Sequence, residues 1–294
     1  MIDAKMTLND GCAIPQLGLG VWQIPNGKKC EAAVLAAFEA GYRHIDTASF
    51  YGNEESVGAA VRASGIKRDE IFVTTKLWNS DHANPERALE ASLRKLKLDH
   101  VDLYLIHYPV RERRVSWRVL ERSQREGKAR SIGVSNFTIR HLTELLAETE
   151  TVPAVNQVEF HPYLYQRELL DFCLARRIVV EAYCPLTQGQ RLKDPKLIAI
   201  AKKYATASPT QPARRSKFSF MPAASSGDGT KSPAQILIRW AIQRSLVVIP
   251  KSANPSRIRE NADVFDFEIT DEDMRLLDGF NENLRTSWDP TNAP

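Results

Sequence analysis

An apolar run stops at Asp46 inside GYRHIDTASFYGNEE (41–55), and Tyr51 follows on the adjoining loop. The next run, in IFVTTKLW, ends at Lys76, and a third, VDLYLI, leads into His107. Taken singly, an Asp, Lys or His at such a place is more often a cap or a salt-bridge partner than a catalyst. Together with the adjoining Tyr they make a set that could move a proton. A free phenol is a poor acid, with a pKa of about 10. A neighbouring ammonium favours the phenolate and lowers that value, and a buried carboxylate keeps the ammonium charged and oriented. Lys76 and Asp46 suit those two parts. Tyr51 could then protonate a carbonyl oxygen as charge develops there, with His107 as a second donor that polarises and orients the substrate. The six His residues have no ligand-like spacing, so no metal is expected. The reagent still missing is a hydride donor.

A dinucleotide usually announces itself by G-x-G-x-x-G after an early strand, and that fingerprint is absent from such a context. The candidate lies late, in VVIPKSANPSRIRENADVF. Lys251 and Ser252 follow the last strand, Pro255 opens a helix, and Arg257, Arg259, Glu260 and Asn261 lie on its first turns. Backbone N–H groups at a helix start, joined by Lys and Arg, form an anion site. A 2′-phosphate is one natural occupant. A solvated basic helix is the other reading, and spacing leaves both open.

The elements that carry these residues repeat. Apolar strands at 17–21, 43–45, 71–75, 101–106, 129–134, 154–158, 178–182 and 246–249 alternate with helical stretches, among them 28–40, 54–63, 85–96, 117–125, 192–204 and 255–261. Parallel strands need long crossovers and bury both faces, which matches this alternation. Eight strands without a second domain boundary predict an α/β fold, a closed (β/α)8 TIM barrel of one domain spanning residues 1–294. Strands at 6–8 and 13–15 flank Asn9, Asp10 and Gly11 and predict an N-terminal β-hairpin lying over one barrel end. A surface helix at 271–277 and a polar tail follow, with Trp288 exposed or folded over the barrel mouth. Residues 205–230, rich in Ser, Ala, Pro and Gly, break the rhythm and are expected to form a disordered insertion; a lid or partner-binding arm is the alternative.

Bulk properties narrow the setting. A formal charge of +4 on 294 residues does not imply nucleic-acid binding. The four Cys show no CxxC pair and no disulfide framework, which fits a reduced, cytoplasmic protein. No signal-like start and no membrane-spanning apolar run are present, so no membrane partner is expected.

The runs GYRHIDTA, YGNE, TTKLWN, VDLYLIHYP, GKARSIGVSNF, NQVEFHP, EAYCPL and IPKSANPSRIRENADVF, in this order, resemble the aldo-keto reductase family, especially its short bacterial and protist members. The resemblance covers the chain apart from 205–230. It implies an oxidoreductase that uses NADPH, bound without a Rossmann fold, to reduce a small-molecule aldehyde or ketone. It also implies a catalytic tetrad of Asp46, Tyr51, Lys76 and His107. Ser135, Asn136 and Gln157 are then expected at the nicotinamide carboxamide, Tyr183 on the nicotinamide ring and Cys184 at the pyrophosphate. Lys251, Ser252 and Arg257 are expected at the 2′-phosphate, and Glu260 and Asn261 near the adenine. Trp22, Phe50, Trp78, His107 and Tyr108 are expected to line the substrate pocket, and a monomer is expected. Tyr108 stands where the family generally has Trp, Cys184 where Ser is common, 110–115 is shorter than usual, and 205–230 is extra. The rival readings are a catalytically weak nicotinamide-binding regulatory protein on the same barrel and a Schiff-base enzyme using Lys76.

Overall fold

Every strand of the main sheet pairs in parallel with its neighbour in the sequence, which is what repeated strand-helix crossovers require. The computed structural model describes residues 2–204 and 229–294. Its hairpin is β1 (Lys5–Thr7) and β2 (Ala13–Pro15), and its barrel strands are β3 (Gly18–Gly20), β4 (His44–Asp46), β5 (Phe72–Leu77), β6 (Val101–Ile106), β7 (Ala129–Ser135), β8 (Val155–Glu159), β9 (Val179–Tyr183) and β10 (Val247–Val248). The helices are α1 (Lys28–Glu39), α2 (Glu54–Ala63), α3 (Pro85–Leu96), α4 (Arg113–Arg125), α5 (Ile139–Leu146), α6 (Arg167–Leu174), α7 (Pro195–Ala201), α8 (Pro233–Gln243), α9 (Pro255–Ala262) and α10 (Asp271–Asp278). The sheet runs from β3 to β10 in chain order. Parallel bridges Leu17–Val248 and Gly20–Lys251 join its two edges, so the expected barrel closes.

The hairpin pairs Met6 with Ile14 and turns at Gly11, whose φ of 87° suits glycine. Leu8 and Ile14 pack with Phe72, Val155, Val179 and Val247, all at strand starts. The hairpin therefore plugs the N-terminal end of the barrel and leaves the C-terminal strand ends open.

Helix starts follow local chemistry. Asn84, Asp194 and Asn254 each accept a first-turn N–H just ahead of a proline at the first helical position, and Ser232 and Gln235 form a reciprocal capping box. Two helical stretches differ from expectation. Helix α4 begins at Arg113 rather than 117, because Arg113 turns inward to bond the Val110 and Pro294 carbonyls and the Glu144 carboxylate. The 192–204 stretch shrinks to α7, preceded by a short 3-10 turn at Thr187–Gly189 where Thr187 and Gln188 adopt positive φ.

The shell packs on Trp117 and Trp240, both fully buried; truncating such a side chain typically costs about 3–5 kcal/mol. The inserted segment falls, for 205–228, outside the described residues. Its flanks meet: the Lys231 N–H donates to the Tyr204 carbonyl at 2.8 Å, and the buried Lys231 ammonium binds Asp263 and Asp266 at 2.9 and 2.7 Å.

Candidate active site

Asp46 closes β4, and Lys76 is the second-last residue of β5, the adjacent strand, so the two side chains meet inside the barrel. The Lys76 ammonium lies 2.7 and 2.8 Å from the Asp46 oxygens, 2.8 Å from the Thr47 carbonyl and 3.4 Å from the Tyr51 hydroxyl. A fully buried ammonium without such partners would cost several kcal/mol. Tyr51 is delivered by the 3-10 turn Ser49–Tyr51, which Gly52 ends at φ 67°. Asn53 pins this loop: it accepts from Thr47 and donates to the carbonyls of Val21 and Ile24.

Gln157 on β8 extends the floor. Its amide nitrogen donates to Asp46 at 2.8 Å and to Glu181 on β9 at 3.1 Å. Burial pushes Asp46 upward, opposed by the Lys76 charge and by hydrogen bonds from Lys76 and Gln157. Contact with the ammonium through both oxygens marks it as a carboxylate. Glu181 has no ammonium of its own, and burial and the Asp46 charge push it to about 8.

One electrostatic expectation is reversed. Lys76 does not bring the Tyr51 phenol down; burial, followed by the Asp46 charge, raises it well above the ordinary value of 10. The reason is that the Lys76 charge is largely neutralised by Asp46, so the phenol faces a nearly neutral pair in a poorly solvated site. Tyr51 is thus protonated at neutral pH. His107 is neutral too, held well below the usual imidazole range by burial and by Lys76. Its Nδ1 is buried without a hydrogen-bond partner. The tautomer carrying the proton on Nε2 spares a stranded N–H donor there.

All the sequence-predicted site residues except Lys76 and Arg259 line one cleft of about 710 Å³ at the C-terminal strand ends. Lys76 lies behind it, reaching the surface of the floor through Tyr51 and Asp46. On the β3–β6 side the wall is aromatic. Phe50 stacks on Trp78 (3.8 Å, 15°), Trp78 meets His107 edge-on (5.1 Å, 74°), and His107 stacks on Tyr108 (5.0 Å, 11°). Trp22 also faces the cleft. Trp288 folds over the mouth, edge-on to Tyr108 at 4.7 Å.

The β7–β10 side is polar. Asn136, at φ 64°, donates to the His107 carbonyl and the Ser135 hydroxyl and accepts from the Tyr183 hydroxyl at 2.8 Å. The Ser135 hydroxyl donates to the Gln157 carbonyl. Both Gln157 amide hydrogens are used, while its Oε1 accepts from no described residue. Cys184 sits at φ 48°, and burial raises its thiol to about 11. Beyond it Ser252 and Asn261 are buried, Glu260 is half-buried, and Lys251 and Arg257 are exposed and form no ion pair with a described residue. Burial and the nearby Lys29 charge lower Lys251, a repulsion that a bound anion would relieve. Two unpaired cations beside a capped helix start, and a bare amide oxygen at the floor, fit an elongated phosphorylated cofactor.

Sequence reasoning missed several residues. Glu159 ends β8 and accepts from Thr286 N–H (2.7 Å), the Thr286 hydroxyl (2.5 Å), Ser287 N–H (3.0 Å) and His161 (3.2 Å), so it clamps the tail that carries Trp288. Gln188 donates to the Thr286 carbonyl from the other side. Glu181 and Lys29 were also unremarked. The position of Glu159 and Glu181 inside strands was the available signal, since an acid in a strand buried on both faces needs a partner.

Residues 16–282 match the Aldo/keto reductase family. Glyoxal reductase of Bacillus subtilis is 44% identical over 286 residues, covering 96% of this chain and 95% of its own. The 9,11-endoperoxide prostaglandin H2 reductase of Trypanosoma cruzi is 45% identical over 293 residues, covering 98% and 95%. A Bombyx mori aldo-keto reductase solved in complex with NADP superposes with a TM-score of 0.85 at 37% identity, covering 100% of this chain and 98% of that one. With the barrel, the strand-end residues and these likenesses in agreement, the chain belongs to the aldo/keto reductase family and is an oxidoreductase acting on carbonyl and alcohol groups.

Proposed function

We propose that this enzyme uses NADPH to reduce aldehydes or ketones to alcohols, with Tyr51 as the proton donor. The observation that carries the reading is the Tyr51 hydroxyl 3.4 Å from the buried Lys76 ammonium at the floor of the cleft. Lys251, Ser252 and Arg257 hold the 2′-phosphate, with Glu260 and Asn261 near the adenine and Cys184 near the pyrophosphate. Tyr183 supports the nicotinamide ring, and Ser135, Asn136 and Gln157 face its carboxamide, for which the free Gln157 Oε1 is an acceptor. The bound dihydronicotinamide supplies the hydride to the substrate carbon.

The chain's own groups then handle the oxygen. Tyr51 and the Nε2–H of His107 donate to it, and the Tyr51 proton moves across as negative charge builds there. The Lys76 ammonium, held by Asp46, stabilises the phenolate left behind. Because burial keeps the Tyr51 proton in place at neutral pH and the reverse oxidation would need the phenolate as its base, reduction dominates near neutral pH when NADPH is in excess. Trp22, Phe50, Trp78 and Tyr108 bind the organic part of the substrate.

Tyr51→Phe is expected to bind NADPH normally, by fluorescence titration, and to lose a factor of roughly 100 or more in single-turnover rate. A near wild-type rate would eliminate this proton route. The chain acts as a monomeric, single-domain cytoplasmic protein; its free cysteines support the reducing compartment, and light scattering in solution and cell fractionation test the oligomeric state and the location.

A further inference from the structure

Gln157 presents an amide at the floor of the cleft, and its own last torsion does not fix how. Terminal amide torsions are broad and roughly two-fold, so hydrogen bonds must choose the plane of the group and the end that faces outward. Two strands supply them. The Gln157 Nε2 donates to Asp46 Oδ2 on β4 at 2.8 Å and to Glu181 Oε2 on β9 at 3.1 Å, while its Oε1 accepts from no described residue and the side chain borders the cleft. A single such bond would leave the amide free to swing about it. Two, from a facing strand and from the neighbouring one, hold it.

Glu181 is fully buried and stands in register with Gln157 across the β8–β9 pair, so it lies behind the floor and touches no ligand itself. Its Oε1 hydrogen-bonds to no described residue and lies 3.6 Å from His44 Nε2, which the Thr74 hydroxyl approaches at 3.1 Å. Burial and the Asp46 charge keep it protonated at neutral pH. A proton on Oε1, facing His44, leaves Oε2 as the carbonyl acceptor for Gln157. A buried carboxyl without an ammonium partner is costly once it ionises. Val247, its register partner on β10, is apolar and buried, so packing does not demand a polar side chain at this layer. What the carboxyl adds there is an acceptor.

We propose that Glu181 is a positioning residue for the cofactor: by accepting from Gln157 it holds that amide with Oε1 turned to the cleft, and so sets a preference for a nicotinamide ring that carries a carboxamide. This rests on the reading that places Gln157 at the carboxamide.

The test measures dissociation constants, by quenching of tryptophan fluorescence, for NADP+ and for its 3-acetylpyridine analogue, whose acetyl group lacks the N–H that Oε1 accepts. Wild type, Gln157→Leu, Glu181→Met, Glu181→Leu and Glu181→Gln are compared at neutral pH, with circular dichroism melts as the control for folding. Wild type and Glu181→Gln, whose amide oxygen is again an acceptor, are expected to favour NADP+ roughly tenfold, the worth of one hydrogen bond. Gln157→Leu and Glu181→Met should narrow that preference to within about twofold, since the bond to the carboxamide is lost or misaligned. Glu181→Leu carries the same expectation and decides the matter if Glu181→Met does not fold. A full preference in Glu181→Met, with or without an equal weakening of both ligands, overturns the inference and leaves the reading of Gln157 intact. Failure of Glu181→Gln to keep the preference does the same. A preference absent from the wild type, or one that survives Gln157→Leu, overturns both.

Discussion

The Tyr51 phenol combines two properties that a free tyrosine cannot. Burial keeps its proton on at neutral pH, and the Lys76 ammonium 3.4 Å away waits to stabilise the anion once the proton leaves. The second event needs the first, because a phenol already ionised would have nothing to give. At the opposite end of the cleft, Lys251 and Arg257 have no anionic partner among the described residues. Lys251→Ala or Arg257→Ala should raise the KM for NADPH tenfold to a hundredfold, as for loss of one charged hydrogen bond of about 1.5–3 kcal/mol, and leave the KM for NADH within about twofold. Equal losses with both cofactors in steady-state assays would remove these residues from the 2′-phosphate. At this scale the sequence was most informative where a reactive side chain ended an apolar run, as at Asp46, Lys76 and His107. It was silent about Glu181, whose meaning depends on Gln157 arriving from another strand 24 residues away.

Elements place those residues through close contacts that leave little slack. Helices α2 and α3 approach so closely at Gly58 that an added Cβ would lie 1.9 Å from the Leu96 carbonyl oxygen. Because α2 follows the Tyr51 loop directly, pushing it outward disturbs the floor of the cleft. Gly58→Ala should destabilise the protein by about 1–3 kcal/mol in urea titration and lower turnover more than NADPH affinity. Unchanged stability would mean that the two helices can separate freely. Most helix starts were legible because caps are local: Ser232, Asn254 and Pro255 signal their own neighbours. The start of α4 was not, since what draws Arg113 inward is Glu144 and the Pro294 carbonyl, both remote in sequence.

At the scale of the whole molecule, the barrel interior carries a carboxyl that resists ionisation. Glu181 titrates at about 8 in the folded chain against an ordinary 4.5, so the native state keeps a proton that the unfolded chain has already released. The stability this proton contributes is fully present below pH 4.5 and is lost as pH rises toward 8. The titratable groups around it are Asp46, Lys76 and His44, the last held near 3 and therefore neutral across this window. Glu181→Gln removes the effect, so thermal melts should show the variant gaining on wild type steadily from pH 5 to pH 8.5. A constant difference across that range would mean that Glu181 is ionised throughout.

By itself the sequence determined the barrel, the hairpin, the placing of Asp46, Lys76 and His107 at strand ends and the late basic helix start, because each is written in periodicity or in residues a few positions apart. Tertiary structure alone decided that Trp288 covers the mouth, that Glu159 and Gln188 hold the tail there, and that Tyr51 is raised rather than lowered. Those outcomes depend on burial and on charges brought together from distant strands. Dielectric and proximity of that kind belong to the folded chain and have no local signature.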